Sequence, residues 1–342
     1  MAVLMAHAGI SLAASLPDAK PPAGEQSWIT ILGDKGPGKG KTVVFLAADE
    51  EYRSEETLPQ FAKMLAKHFG FKCIVLFGID PKDGTICPNI TNNIPGLENL
   101  KKADLVVMLI RWRDMPDDQL KYIIDYAESG KPMIGMRTST HPFNLKGGDY
   151  LKYSWNNKGP EYEGGFGRQV LGETWVAHHG THGKEGTRGI IADGQASNPI
   201  LKGITPGSIY GPTDVYEVRL PLPGDSTPLV LGEVTETLDQ TSAAVTGSKN
   251  NPRMPIAWTK TYTGSSGKKS RVFTTTMGSS LDFTYDGTRR MLVNAVFWAL
   301  GMENKITADA DISFVGEYKP SMFKFRTMEE WKPGVKPADL LK

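Results

Sequence analysis

The sequence predicts an α/β protein in which amphipathic helices wind a mainly parallel sheet. Two patterns carry that expectation. Apolar runs of strand length are continuous, as in strands covered on both faces, and stretches with a helical apolar stripe lie between them. A third observation points to function: charged and hydroxyl side chains crowd the segments just after several of those runs, where α/β sheets bind ligands.

From Lys41 the elements follow in order. Val43-Val44-Phe45-Leu46-Ala47-Ala48 is the first strand. The helix after it places Leu58, Phe61, Ala62 and Leu65 at i, i+3, i+4 and i+7. Thr57 and Gln60 have capping-box spacing, Pro59 suits a first turn and Gly70 suits the end. Residues 72–77 and 104–110 give the next two strands. Pro116-Asp117-Asp118 opens a helix with carboxylates at the positive end of its dipole, and Gly130 stops it. Its core face is Leu120, Ile123, Ile124 and Ala127. Residues 132–136 form a fourth strand. Beyond residue 185 the rhythm loosens into strands near 188–192, 229–234 and 256–258 with long loops, and 271–277 rejoins the sheet. The last helix, residues 286–301, is apolar nearly all round and belongs against the sheet.

Residues 41–303 therefore read as one domain. Residues 304–342, with Pro320, Pro333 and Pro337, read as an extended tail over it. Residues 1–40 read as a signal and linker segment: 8–16 are apolar and small, though no basic residues precede them, and 18–41 are rich in Pro, Gly and Lys. The expected location is secreted or periplasmic, and cytoplasmic if that segment is not a signal. No run of ~20 apolar residues exists to span a membrane.

Composition narrows the function classes. The 342 residues carry 39 Lys+Arg against 38 Asp+Glu, a formal net charge of +1. No basic stripe suits nucleic acid. Cys73 and Cys87 are the only cysteines, which excludes a disulfide scaffold and disfavours a thiolate zinc site. Cys73 lies in an apolar run and reads as an inert core thiol. The expected partner is a small molecule, and a homo-oligomer is compatible with such a chain.

The stretch from Gly164 to Gly183 holds three of the six histidines, His178, His179 and His182, downstream of Glu173 and Trp175. Titratable side chains between glycines are what a site needs to bring several groups onto one ligand. In a helix His178 and His182 would share a face. In a strand Glu173, Trp175 and His179 would share one, with His178 pointing away. Loops after the strands add Glu51 and Arg53, Arg111, Trp112 and Arg113, and Arg137, Thr138 and His141. Trp112 and Trp175 could stack on a sugar ring, although a tryptophan is more often a buried filler. Arg111, Arg113, Arg137 and Arg168 could clamp a carboxylate or phosphate, or could form internal ion pairs with Glu51, Glu55, Glu56 and Glu173.

Several motifs together resemble the ThuA-like (trehalose-utilisation) family. They are Glu51-Tyr52-Arg53-Ser54-Glu55-Glu56, Arg137-Thr138-x-Thr140-His141-Pro142-Phe143, the histidine stretch, and Gly211-Pro212-Thr213-Asp214-Val215-Tyr216. Arg271-Val272-Phe273-Thr274-Thr275-Thr276-Met277-Gly278 and Arg289-Arg290-Met291-Leu292-Val293-Asn294-Ala295 complete them. The resemblance covers about residues 41–303 and is to a secreted bacterial branch. It implies a doubly wound, flavodoxin-like sheet as in class I glutamine amidotransferases, and an association with trehalose and keto-sugar metabolism. Two departures matter. No cysteine stands at the elbow after the fourth strand, so glutaminase chemistry is not expected. Gly278-Ser279-Ser280 stands where family members read Gly-His-Asp.

The functional expectation is acid–base chemistry on a sugar or keto-sugar. His178, His179, Glu173 and Glu51 are the candidate catalytic groups. Arg53, Arg113, Arg137, Thr138, His141, Trp175 and Asp214 are the candidate substrate contacts. No cofactor is required, but a divalent ion such as zinc on His178, His179 and His182 is a variant. The alternative is a non-catalytic sugar- or partner-binding module on an amidotransferase-like scaffold.

Overall fold

The structure, a computed structural model, describes residues 27–341. The segment read as a signal, residues 8–16, lies outside the described residues. The stretch read as a linker does not stay irregular: it contains strand β1 (Trp28–Ile31), which pairs antiparallel with β3 (Lys72–Phe77). Next to β3 runs β2 (Thr42–Ala48), followed by β4 (Leu105–Ile110), β5 (Met133–Met136) and β12 (Lys269–Thr275). All four pairings among these five strands are parallel. They are the strands expected at 43–48, 72–77, 104–110, 132–136 and 271–277.

The sheet then continues with a different polarity. Beyond β12 come β11 (Met254–Thr263), β10 (Thr227–Thr235), β7 (Gly186–Ile191) and β8 (Tyr210–Gly211), each antiparallel to its neighbour. The ten-stranded sheet is therefore mixed. The sequential pairs β7–β8, β10–β11 and β11–β12 have no α-helix between their strands to carry the chain back across the sheet, which favours antiparallel pairing, and β7 joins β10 across β8 and β9.

Side-chain alternation along β2 divides the core. Val43, Phe45 and Ala47 face one layer, with Leu58, Phe61 and Leu65 of α1 (Ser54–Phe69) and Leu292, Ala295 and Val296 of α4 (Asp286–Ala299). Val44, Leu46 and Ala48 face the other, with Leu120, Ile123 and Ile124 of α2 (Asp117–Glu128) and Phe166 of α3 (Gly165–Gln169). Both faces of the parallel half are covered, as its unbroken apolar strands require.

Helix α1 starts earlier than its capping-box spacing suggested. Ser54 is its first residue and Pro59 lies inside it. The start is organised instead by Asp49, which accepts the backbone N–H of Glu51 and of Tyr52, while Ser54 Oγ accepts the N–H of Asp49. Cys73 and Cys87 are buried free thiols, and burial pushes Cys73 up. The tail beyond residue 303 follows an extended path across the body, held by contacts such as Tyr318 Oη to Ser280 O and Trp331 Nε1 to Asn89. No helix among the described residues is long and apolar enough to cross a membrane.

Candidate functional site

The segments after β2, β5 and β12 meet at one buried arginine. Arg137, the residue after β5, has φ 42°, a left-handed conformation that a side chain adopts only under constraint from its surroundings. Those surroundings engage both of its Nη atoms, while Nε has no protein acceptor among the described residues. Nη1 donates to Asp214 O at 2.7 Å and Thr276 O at 2.8 Å, and Nη2 to Tyr52 Oη at 3.1 Å and Asp214 Oδ1 at 3.0 Å. The guanidinium lies 4.4 Å from the Tyr52 ring and 3.8 Å from the Tyr216 ring. Arg137 was expected to bind substrate; it anchors Asp214 instead.

Asp214 is fully buried, yet stays ionised. Burial raises its pKa, but Arg137 and hydrogen bonds from His178 and His182 outweigh that and hold it well below the usual carboxylate range. His178 Nδ1 lies 2.6 Å from Oδ2, and His182 Nδ1 lies 3.0 Å from Oδ1. His182 Nε2 reaches Glu51 Oε1 at 3.2 Å. The hydrogen bonds it donates to Asp214 and Glu51, opposed by burial, push His182 up to about 9. With both ring nitrogens facing carboxylates, it is an imidazolium at neutral pH. His178 differs. Its Nδ1 proton is committed to an ionised carboxylate, so a neutral ring carries its lone pair on Nε2, and 39% of the side chain is exposed.

Short backbone pairing decides which histidine arrives here. Ala177–His178 (β6) pairs with Tyr216–Glu217 (β9), setting His178 opposite Tyr216, two residues from Asp214. Alternation then turns His179 away, and its Nε2 meets Lys249 O at 2.8 Å. The chain turns after Gly180 and returns His182, whose ring lies 4.8 Å from that of His178.

Beside this charged chain stands an aromatic wall. The rings of Trp112, Trp155 and Trp175 lie 5.7 to 6.2 Å apart. Trp175 is also 5.7 Å from His178. His141 packs 5.2 Å from Trp175 and 5.4 Å from Trp112. Burial, reinforced by Arg111, Arg137 and His178, holds His141 well below its ordinary value, so it stays neutral. The tail supplies a roof. Phe323 lies 5.2 Å from both Tyr52 and His182, and Arg111 is stacked between Trp112 at 4.2 Å and Phe325 at 4.8 Å.

Against this geometry the family comparison is decisive. A family model described as ThuA, trehalose utilisation, matches residues 87–299, more than half of the chain. The chain belongs to the ThuA family. The matched span includes Arg137, His178, His182 and Asp214, while Glu51, Tyr52 and Phe323 lie outside it. Among solved structures, it is similar to a ThuA-like protein from Bacteroides uniformis ATCC 8492, with 16% identity over 78% of this chain and 93% of that one and a TM-score of 0.45. Another from Parabacteroides merdae ATCC 43184 has 13% identity over 86% and 99%, with a TM-score of 0.46. No curated protein matches.

Several expected ThuA site residues serve the scaffold. Glu173 is buried between Arg168 and Arg219, whose Nη2 lies 3.1 Å from Oε1, and among the described residues none of its hydrogen bonds goes to a histidine. Arg53 donates to Glu50 O and Lys324 O, which ties the tail down. Arg113 donates to Arg111 O, Pro88 O and Ile90 O and pairs with Glu50 at 2.7 Å. Thr138 donates to Asp49 and locks two loops together. Tyr52, Tyr216, Trp155 and Phe323 were missed as site residues, although Tyr52 and Tyr216 stand inside the quoted motifs. Ser279 contributes a backbone N–H to Asp282, a buried carboxylate that also accepts from Thr213.

The metal set changes too. His179 drops out, and His178, His182 and Asp214 offer atoms within 4.8 Å of one another. Ligands ~2.1 Å from a tetrahedral zinc stand about 3.4 Å apart with lone pairs facing the ion. Here both Nδ1 atoms donate to Asp214, and Arg137 already neutralises that carboxylate. The arrangement fits a hydrogen-bonded proton site better than an ion.

Proposed function

We propose that this ThuA family member acts on a sugar or keto-sugar and moves a proton on it through His178. One observation carries the reading: the ring's Nδ1 is held at 2.6 Å by a buried, ionised Asp214, which puts the neutral ring's lone pair on Nε2 of a side chain that is 39% exposed. Nε2 would take a proton from a sugar hydroxyl, or from the carbon beside a keto group. Asp214 would stabilise the resulting imidazolium and keep the ring oriented. Glu51 and His182 would hold the charge of the site fixed. His182 is not the acid, because both its N–H groups are bound by carboxylates. The tryptophan wall offers apolar faces for sugar C–H groups, and the family's trehalose description supports a carbohydrate.

The finer fold reading belongs here as well. The parallel order β3-β2-β4-β5-β12, with helices on both faces, supports a doubly wound, flavodoxin-like arrangement of the amidotransferase kind. On that reading Arg137 occupies the nucleophile elbow, and a buried guanidinium cannot do glutaminase work. The apolar run at residues 8–16 supports export, which sequencing the N-terminus of protein recovered from culture medium or periplasm would check.

The test is a turnover screen with trehalose, glucose and their keto derivatives. Conversion of at least one is expected. Purified, folded protein that converts none of them would contradict the reading.

A further inference from the structure

We infer that Arg111 holds the substrate's carbonyl oxygen, so that the proton His178 takes comes from the carbon beside a keto group and not from a hydroxyl; this rests on the proton transfer proposed above. Six side chains close a circuit. The His178 and His182 rings lie 4.8 Å apart, His182 Nε2 is 3.2 Å from Glu51 Oε1, and Glu51 Oε2 is 3.5 Å from Arg111 Nη1. The return path is aromatic. His178 is 5.7 Å from Trp175, Trp175 is 6.2 Å from Trp112, and the Arg111 guanidinium stacks on Trp112 at 4.2 Å. Arg111 and His178 are three contacts apart in either direction, which sets them across the circuit from each other.

Arg111 differs from its neighbours in the donors it has left. Arg113 commits Nε, Nη1 and Nη2 to Arg111 O, Pro88 O, Ile90 O and Glu50, and Arg137 commits both Nη atoms within the scaffold. Among the described residues, the one side-chain hydrogen bond of Arg111 runs from Nη1 to Glu50 Oε1 at 2.8 Å. Nε and Nη2 remain, on a side chain that is 11% exposed. Trp112 and Phe325 cover the two faces of the guanidinium, so its in-plane edge is what it presents. Trp112 takes φ 43° to lie there, a left-handed backbone conformation that persists only where the surroundings impose it. A pinned fork with two uncommitted donors is built to meet an oxygen, or two neighbouring ones.

The place where negative charge develops selects the substrate. Deprotonating a hydroxyl leaves the charge on the atom His178 has just touched, beside the new imidazolium, and a cation across the circuit adds little. Deprotonating a carbon is different. The C–H bonding pair becomes a C=C bond, the carbonyl π pair moves onto oxygen, and the proton stays on Nε2. The enolate oxygen then lies two bonds from the carbon under attack, where Arg111 meets it with a fixed positive charge. His182 cannot take that part, since both its N–H groups are bound by carboxylates. Return of the proton from Nε2 to the same carbon restores the substrate, so the step balances without a co-reactant. In D2O it leaves deuterium behind.

The experiment reads that exchange. The keto derivatives of glucose and trehalose, and the two sugars themselves, are incubated with the full-length protein in D2O. Carbon-bound deuterium is followed by NMR against a protein-free blank. At least one keto derivative should take up deuterium, and neither unoxidised sugar should. Arg111→Met should slow uptake by about 10²–10³-fold, the loss typical of a removed oxyanion donor. Arg111→Lys keeps the charge opposite Glu50 and Glu51 but not the fork; it should fall between, and guards against a folding defect in the methionine variant. Free guanidinium ion, far below the concentrations that unfold proteins, should restore part of the rate to Arg111→Ala. An arginine with only a structural part would gain nothing from it. Uptake at the parent rate in folded Arg111→Met, or no uptake from any keto derivative, would overturn the inference. So would conversion of glucose or trehalose without carbon-bound deuterium, which would leave the His178 base standing. Uptake that needs Arg111 but survives His178→Gln would instead keep the guanidinium's part and sink the base.

Discussion

His182 should make stability fall as pH rises, and His182→Gln should remove that slope. The ring's pKa moves from an ordinary 6.5 to about 9 on folding, because Asp214 and Glu51 both accept from it. A folded value above the unfolded one means that the native state holds the proton more tightly. The contribution is complete below about pH 6.5 and is lost as pH climbs through about 9. The full displacement corresponds to at most about 3 kcal/mol. With 37% of the side chain exposed, solvent screening reduces this to about 1–2 kcal/mol. Urea unfolding of parent and variant, run side by side from about pH 6 to about pH 10, isolates the term, since other titrating groups cancel in the difference. The parent's advantage should shrink by about 1–2 kcal/mol between about pH 6.5 and pH 9.5. A constant difference across that window would refute a charged Glu51–His182–Asp214 chain.

Three further outcomes follow from the contacts. Arg137→Met leaves the buried Asp214 with only the His182 imidazolium opposite it and should cost about 3–5 kcal/mol in urea unfolding, whereas a cost under about 1 kcal/mol would mean that Asp214 does not depend on Arg137. Adding zinc should leave the melting temperature unchanged, because His178 and His182 already spend Nδ1 on Asp214; a stoichiometric, stabilising ion would contradict the proton-site reading. Phe323→Ala empties the seat between Tyr52 and His182 and should speed proteolytic removal of the tail while the body resists. Digestion at the parent's rate would mean the roof is held by Arg53 and the other polar contacts alone.

How far the chain could be read depended on whether the signal was local. The parallel half was legible because β2, β4 and their neighbours are buried on both faces and so are apolar without a break. In the far half the strands expected near 188–192, 229–234 and 256–258 are β7, β10 and β11, but their antiparallel order was not legible, since the pairing of β7 with β10 joins segments some forty residues apart and nothing short-range specifies it. Trp28–Ile31 was lost among Pro, Gly and Lys because four residues are too few for a periodic signal. At the site, the histidine cluster was visible but its members were not separable. Strand alternation was the right idea applied to the wrong face: the two-residue β6 turns His178 inward and His179 outward. Glu173 looked catalytic beside the histidines, yet Arg168, five residues earlier, and Arg219, far along the chain, claim it. The roof could not be foreseen, because Phe323 meets Tyr52 across most of the chain length. Of the four arginines and four glutamates expected to pair on the rim, Arg111 meets Glu51 and Arg168 meets Glu173, while Arg113 and Arg137 meet Glu50 and Asp214 instead.

The most direct measurement compares His178→Gln with His179→Gln on whichever sugar the parent converts. Glutamine keeps hydrogen bonding but cannot titrate. His178→Gln should lower turnover by the ~10²–10⁴-fold of a lost general base with little change in unfolding free energy. His179→Gln should turn over within about threefold of the parent, because the His179 ring meets Lys249 O, away from Asp214. Parent-like turnover by His178→Gln, or equal losses in both variants, would contradict a proton carried by His178.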